Sequence, residues 1–185
     1  METVLPAVIG LVGTLVGGTI SWFVNVNRGR TQTAWEMHRE FNGEAMHRAR
    51  YCADELLQRD SRILLGDLYK MAPGQDIAHI MIVMNFYQRL WLAISHRIIN
   101  TSLVPRLFGQ IFYWWYLVVF EPRRMPETWH AHDDIKELKN WMDKHATLSD
   151  RQKWQELARK SRGCLTTSAE DLIENRQHES GEVPA

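Results

Sequence analysis

The sequence predicts an all-helical protein in which one N-terminal transmembrane helix is followed by a cytoplasmic bundle of about five helices. Residues 4–24 are 21 consecutive residues without a charge. Apolar residues further along recur at steps of three and four, and no stretch of useful length alternates as a strand would. The predicted organisation is therefore a transmembrane anchor at residues 1–27, a helical bundle at 28–160 and a flexible tail at 161–185.

The uncharged run matches a membrane span, because about 20 helical residues cross the roughly 30 Å hydrocarbon layer. Glu2 precedes the run while Arg28 and Arg30 follow it, and this asymmetry favours a cytoplasmic location for the C-terminal side. A cleaved signal peptide would need a basic start and a small-x-small site, which the sequence does not provide. We expect an uncleaved single pass in a bacterial inner (plasma) membrane, with Trp22 and Phe23 at the interface and a very short outer end.

Small residues cluster on one face of the predicted anchor. Gly13 and Gly17 form a GxxxG pair, and a second small-residue row lies one position around the helix. Such a face lets two membrane helices approach each other closely. The predicted packing residues are Gly10, Gly13, Thr14, Gly17 and Gly18. They favour a homo-oligomer, whereas a chance match in a membrane helix that contains glycine is the alternative.

Charge and cysteine usage narrow the function classes. Lys+Arg and Asp+Glu are equal at 22 each, so no overall positive field attracts nucleic acid, which is not an expected partner. Cys52 and Cys164 lie far apart without a CxxC motif, which fits a reducing compartment and provides no disulfide framework. His130 and His132 point in different directions at a predicted helix start, which favours a solvated helix end over a metal site. Neither a metal nor a cofactor is expected.

The first cytoplasmic helix is predicted over residues 31–60, with Thr31 or Thr33 as its N-cap. Its inward positions, at helical spacing, are Phe41, Ala45, Ala49, Cys52, Ala53 and Leu56. A short helical segment over residues 62–71 continues it until Ala72-Pro73-Gly74 breaks the chain.

The second helix, residues 76–99, should be the central and most buried one, with Asp76 at its start. Its apolar stripe consists of Ile80, Val83, Met84, Tyr87, Trp91, Ile94 and Ile98. Thr101 or Ser102 caps a third helix, which contains the apolar run IFYWWYLVVF and ends at Glu121. This run is too short to span a bilayer, so a buried core helix is favoured over a segment in the headgroup region.

Two further helices complete the predicted bundle. One covers residues 133–145. Its inward positions are Ile135, Leu138 and Met142. The other opens at Ser149, with Gln152 three residues later as a capping box.

Three polar residues line one stripe of the central helix. Arg89 and His96 are about 20° out of register on a helix, and Asn85 lies one turn earlier on the same face. An arginine and a histidine so placed can stabilise the developing charge of a phosphate and move a proton, as cleavage of an RNA backbone requires. The structural alternative is that Arg89 pairs with Glu40 or Glu44 of a neighbouring helix, while His96 caps its helix or faces water.

The spacing of Arg89 and His96 resembles the R-x(4 to 6)-H signature of HEPN ribonucleases. These enzymes are also helical bundles, and they include a membrane-anchored accessory family in RNA-targeting CRISPR systems. The resemblance implies a ribonuclease in which the two residues form the catalytic pair across a dimer. The sequence departs from the pattern at Leu90, where that family usually has a polar residue, and its spacer is the longest that the signature allows.

A second resemblance covers residues 4 to about 145. The anchor followed by HREFNGEAMHRARYCADELL, VMNFYQRLWLAISHRIINTSLV and FYWWY is similar to an uncharacterised bacterial family of small membrane-anchored all-helical proteins, catalogued as a domain of unknown function. In that pattern FN precedes a helix with an inward arginine, here Arg50, and NFY opens the central helix at Asn85. The resemblance implies fold and location, and it carries no catalytic residues.

The sequence therefore predicts a membrane-anchored cytoplasmic domain that acts through contacts with an unidentified protein partner and through self-association, rather than an enzyme. No phosphate loop, dinucleotide fingerprint, HExxH or GxSxG motif is present. Two alternatives remain open. They are a membrane-anchored HEPN-like ribonuclease and a pore-forming accessory effector, in either case in antiphage defence.

Overall fold

The computed structural model describes residues 4–59, 63–72 and 74–161, with side-chain surroundings from residue 14 onwards. Its elements, in chain order, are α1 (Val4–Phe41), α2 (Glu44–Arg59), α3 (Leu65–Met71), α4 (Gly74–Ser95), α5 (Val104–Trp114) with a π-helical continuation (Trp115–Phe120), α6 (Ala131–His145) and α7 (residues 148–161). The described part of the chain contains no strand, which confirms the all-helical class. It has more helical elements than the five predicted, and the predicted tail lies outside the described residues from 162 onwards.

α1 is one uninterrupted helix of 38 residues, which corresponds to a length of about 57 Å. The predicted N-caps at Thr31 and Thr33 are wrong, because both residues lie inside this helix. The Thr33 hydroxyl donates instead to the Gly29 carbonyl one turn earlier, at 3.1 Å. The chain thus passes from the predicted anchor segment into the bundle without a break.

The predicted helix over residues 31–60 is divided between two helices, because the chain breaks at Asn42 and Gly43. The Asn42 side-chain amide donates to the His38 carbonyl at 2.8 Å and so closes the end of α1. A Cβ at Gly43 would lie 3.2 Å from a backbone carbonyl oxygen of α1, so this turn favours glycine. Ala45, a predicted inward position, is exposed just after the break.

α4 is the central helix, as predicted, although it begins at Gly74 rather than Asp76. Its buried residues are Ile77, Ile80, Val83, Met84, Phe86, Tyr87, Leu90 and Ile94. By length and composition it is the one helix among the described residues that qualifies for crossing a membrane, but 44% of its most apolar window is buried inside the protein. Ile98, predicted on the inner stripe, lies beyond the helix end at Ser95 and is 55% exposed.

A cluster of aromatic rings joins α1, α4 and α5. The ring centroids of Phe41 and Phe86 are 4.7 Å apart, and those of Tyr87 and Phe112 are 5.1 Å apart. Phe108 completes the cluster at 6.1 Å from Phe41. Aromatic pairs in such geometries contribute roughly 0.5–1.5 kcal/mol each beyond the area that they bury. The prediction that the third helix is a buried core element is confirmed by this packing.

The helix start of α5 differs from the predicted one. Neither Thr101 nor Ser102 caps this helix, and Leu103 precedes it without a side-chain cap. The Ser102 hydroxyl donates instead to the Asn100 side-chain carbonyl at 2.8 Å. Asn100 is itself held by α1, so a tertiary contact replaces the expected local cap.

α6 confirms the predicted helix in this region, whereas the predicted capping pair of α7 is wrong. The buried residues of α6 include Ile135, Leu138 and Met142. At the start of α7, Thr147 Oγ1 accepts from the Asp150 backbone N–H at 3.1 Å and donates to the Asp150 carboxylate at 2.7 Å. The cap therefore lies two residues before the predicted pair of Ser149 and Gln152.

The Asn100 loop, residues 96–103, ties the C-terminal end of α4 to α1. The Asn100 backbone N–H donates to the Arg30 carbonyl at 3.0 Å, and its side-chain amide donates to the Thr31 hydroxyl at 3.0 Å. Before this point on α1, every residue from 14 to 25 is exposed. The loop therefore marks the place where α1 begins to pack into the bundle.

Candidate functional site

Arg89 lies on the exposed side of α4 and pairs with Glu40 near the end of α1. Its Nη2 contacts one carboxylate oxygen, and its Nη1 lies 3.4 Å from the other, so the two groups face each other as a fork. The guanidinium carbon is also 5.8 Å from the centroid of the Phe86 ring. Both charged side chains remain about half exposed, at 54% and 45%. The pairing with Glu40 that was predicted as the structural alternative is therefore present.

His96 lies in the turn that follows α4. Its Nδ1 is 2.9 Å from the Leu92 carbonyl oxygen and 3.2 Å from the Ser95 hydroxyl oxygen. Because a carbonyl only accepts, the Nδ1–H donates to it, and the His96 backbone N–H donates to the same carbonyl oxygen at 3.1 Å. His96 thus has the capping geometry predicted as the alternative to catalysis.

The structure does not bring Arg89, His96 and Asn85 together within one chain. Arg89 faces Glu40, His96 turns back onto its own helix, and Asn85 is exposed. A step of seven helical residues also separates Arg89 from His96 by about 10.5 Å along the axis. A phosphate would meet both groups only after Arg89 leaves Glu40, or where a second copy of the chain contributes one of them.

Asn85 and Arg89 belong to an exposed stripe that runs along α4. The α4 stripe consists of Ala78, Ile82, Asn85, Arg89 and Leu92, which follow one another at steps of three or four residues. Ile82 and Leu92 are apolar but remain 44% and 41% exposed. The two apolar side chains are thus flanked by polar ones on one exposed face of the helix.

Arg50 is the inward arginine of α2, with its guanidinium carbon 4.4 Å from the centroid of the Phe41 ring. Burial lowers the pKa of Arg50, and the nearby Tyr87 raises it. Neither Arg50 Nε nor the Tyr87 hydroxyl has a hydrogen-bond partner among the described residues, although both atoms are buried. The contact between the cation and the Phe41 ring therefore holds α2 against α1.

An open cleft of about 500 Å³ lies between the end of the π-helical segment and α6. Its charged lining residues include Glu121, Arg124, Glu127 and Lys136. The two carboxylates offset the two cations, so the cleft does not select one sign of ligand charge. Burial, followed by two nearby carboxylates, raises the pKa of Tyr116 at its edge. No sequence pattern indicated this cleft, because a non-helical turn in which Arg124 has φ 48° brings these residues together.

His132, near the start of α6, has a local partner. His132 Nδ1 lies 2.9 Å from a carboxylate oxygen of Asp133, its neighbour in the chain. Within the described residues, no group of three or more His, Cys, Asp or Glu side chains is placed to hold a metal ion.

The predicted packing residues of the anchor lie on the part of α1 that precedes the bundle. A Cβ added to Gly17 or Gly18 would meet no atom within 4 Å, so these glycines face open space. Thr14 is exposed on the same segment. Gly10 and Gly13 belong to the helical backbone of α1, but their surroundings lie outside the described residues. Each helical glycine costs roughly 1 kcal/mol relative to alanine.

Comparison with known proteins gave no match to a family model, to a curated protein or to a solved structure.

Proposed function

We propose that this protein is a single-pass, membrane-anchored helical domain that acts by protein contact on the cytoplasmic side of a bacterial inner membrane. The contrast along α1 carries the proposal. Residues 14–25 are exposed throughout, with Trp22 and Phe23 at 68% and 67%, whereas packing into the bundle begins near Arg30. The uncharged run of residues 4–24 is long enough to span a bilayer. An apolar helix of that length is unfavourable in water and favourable in lipid.

Membrane extraction of matched variants tests the anchor. The full chain should stay in the membrane pellet after alkaline carbonate washing, with an intact mass that includes the first residues. Leu15 and Leu148 are almost equally exposed, at 61% and 63%. Leu15→Arg should lower the inserted fraction, because arginine at the centre of a span costs roughly 2.5–3.5 kcal/mol, whereas Leu148→Arg should not. Recovery of the unmodified chain in the carbonate supernatant contradicts the anchor.

Self-association through the glycine face of α1 is the second part of the proposal. The open space around Gly17 and Gly18 supports it, because close approach of a second helix needs such a surface. Gly13→Ile combined with Gly17→Ile should dissociate the oligomer in detergent. Thr19→Ile is the matched control, since at 100° per residue Thr19 lies on the opposite face of the helix. An oligomer that survives the double substitution contradicts this interface.

The α4 stripe is the proposed contact surface of the bundle, since it exposes Ile82 and Leu92 around two polar side chains. A photo-crosslinking residue at either position should give a discrete adduct in native membranes. The same residue at Tyr51, which is exposed on α2, is the control. Adducts of equal yield from all three positions, or from none, argue against the stripe.

A ribonuclease centred on Arg89 and His96 is the second candidate, supported by the solvent exposure of both side chains and of Asn85. Activity on RNA should then disappear in Arg89→Ala and in His96→Ala. Glu40→Gln should increase it, because this substitution releases the guanidinium from its carboxylate. Cleavage that survives both alanine substitutions excludes this pair. Dye leakage from vesicles that depends on Gly13 and Gly17 would instead favour the pore-forming effector.

A further inference from the structure

We infer that the end of the bundle next to the exposed segment of α1, residues 14–25, binds the anionic headgroups of the membrane in which α1 is anchored. The inference rests on the proposed anchor and adds the lipid chemistry that the bundle contacts. The surface concerned, called the basic end, consists of Arg28, Arg30, Arg97 and Arg106 together with Ile98.

The Asn100 loop places this surface at the right depth. Its hydrogen bonds to Arg30 and Thr31 fix the loop beside α1. Thr31 lies eight helical residues beyond Phe23, the expected boundary of the hydrocarbon layer, which is about 12 Å along the helix. The headgroup region adds about 5–8 Å on each side of the hydrocarbon core. The loop is therefore just beneath the headgroups, within reach of long arginine side chains.

Arg106 reaches the same end of the bundle through α5. This helix starts directly after the Asn100 loop and runs alongside α1, because the Phe108 ring lies 5.9 Å from the His38 ring. Arg106 is exposed in the first turn of α5. It therefore lies between the level of the loop and the level of His38.

All the charged side chains of the basic end are positively charged. The sequence contains no Asp or Glu between Glu2 and Glu36, and none between Asp76 and Glu121. Within the residues that the structure describes, none of the four arginines forms an ion pair. A chain with no net charge overall thus presents four cations at this end, and cations close to an anionic leaflet are attracted to it.

The backbone at the end of α4 presents an apolar side chain in the middle of these cations. Arg97 has a φ of 57°, and the Ile98 N–H donates to the Ala93 carbonyl at 2.9 Å. This pairing, with a left-handed residue just before the donor, is the Schellman helix ending. It leaves Ile98 outside the core and more than half exposed. Ile98 therefore lies on the surface of the basic end and reports how close this end comes to the headgroups.

Quenching by headgroup spin-labelled lipid tests the inference on the full chain in nanodiscs. A fluorophore is attached at position 98 (Ile98→Cys) or at position 71 (Met71→Cys), with Cys52→Ala and Cys164→Ala in both proteins. Met71 is 71% exposed and lies just before the start of α4. The length of α4, about 33 Å, separates this start from the loop. Discs of phosphatidylcholine alone are compared with discs that also contain phosphatidylglycerol.

Quenching should occur at position 98 and not at position 71, and phosphatidylglycerol should increase it. Each of Arg97→Gln and Arg106→Gln should weaken the phosphatidylglycerol-dependent part about fivefold, and high salt should suppress it. Equal quenching at both positions, or quenching at position 98 that is insensitive to phosphatidylglycerol, overturns the inference. Failure of the anchor is seen separately, as protein that does not co-purify with the discs.

Discussion

At the scale of single residues, Gly109 leaves no room for a side chain where α5 meets α7. A Cβ at this position would lie 2.6 Å from Cζ3 and 2.7 Å from Cζ2 of the Trp154 indole, both too close for real contacts. We expect Gly109→Ala to lower the free energy of unfolding by about 1–3 kcal/mol, because the core cannot accept the extra carbon without moving the indole. Denaturant unfolding in detergent micelles measures this change.

Gly29 provides the matched control for that substitution, since it also lies inside a helix but has open space around its Cα. Gly29→Ala should raise stability by up to about 1 kcal/mol, the difference in helix propensity between the two residues. The free energy of unfolding should therefore fall in Gly109→Ala and rise in Gly29→Ala. A loss of similar size in both would mean that crowding by Trp154 is not the cause.

Arg97 is held in the left-handed region, with φ 57° at the end of α4. This conformation costs an L-residue roughly 1–2 kcal/mol, a cost that glycine avoids. Arg97→Gly should therefore raise the free energy of unfolding by about 1 kcal/mol, as measured by thermal unfolding. Arg97→Ala removes the same side chain but keeps the Cβ, so it should show no such gain. Equal behaviour of the two variants would assign the effect to the lost charge.

At the scale of elements, α1 contains an exposed segment, residues 14–25, and a packed segment that begins near Arg30. Removal of residues 1–24 should change the stability of the bundle by no more than about 0.5 kcal/mol, as for other surface changes. Removal of residues 1–33 also deletes the Arg30 carbonyl and the Thr31 hydroxyl, which leaves Asn100 without both partners. This longer truncation should destabilise the bundle in thermal unfolding. Unfolding of the bundle after removal of residues 1–24 would contradict this division of α1 into an exposed and a packed segment.

The sequence predicted the elements whose apolar period is regular and missed the features that depend on tertiary contacts. The inner stripe of α6 was predicted correctly, because Ile135, Leu138 and Met142 repeat at steps of three and four. The start of α5 was not, because Asn100 bonds to another helix rather than to the first turn. The π-helical segment Trp115–Phe120 likewise has no local signal in an apolar run that suits any buried helix.

At the candidate site, the sequence allowed the ion pair of Arg89 with Glu40 to be predicted, but not the separation of Arg89 from His96. Arg89 and Glu40 each stood on an expected helix, and a carboxylate within reach of a guanidinium is a common arrangement. The predicted register of the two side chains required His96 to lie on the same helix as Arg89. In the structure α4 ends one residue earlier, at Ser95, and the His96 imidazole bonds to the Leu92 carbonyl. The cleft near Arg124 depends on a turn without a period, so no sequence pattern pointed to it.

At the scale of the whole molecule, the buried Tyr113 and the partly buried Tyr116 make stability sensitive to alkaline pH. Burial, followed by hydrogen bonding and charge from Asp143, raises the pKa of Tyr113, and burial also raises the pKa of Tyr116. The folded chain then keeps these protons at a pH at which the unfolded chain has lost them. The stabilisation is complete below about pH 10, the ordinary tyrosine value, and falls as the pH rises above it.

The denaturant midpoint should therefore fall above pH 10, and less steeply in Tyr113→Phe than in the unmodified chain. Tyr69→Phe, at an exposed position on α3, is the matched control. A slope in Tyr113→Phe equal to that of the unmodified chain would mean that other groups cause the alkaline loss.

The unbroken course of α1 has a mechanical consequence for the proposed membrane arrangement. Because no linker separates the proposed span from the bundle, a tilt of the span in the bilayer rotates the bundle by the same angle. Transmembrane helices are tilted by about 20° on average, and more in thin bilayers than in thick ones. Over a rod of about 57 Å, such an angle displaces one end sideways by about 20 Å. Bilayer thickness would thus set the direction in which the α4 stripe faces.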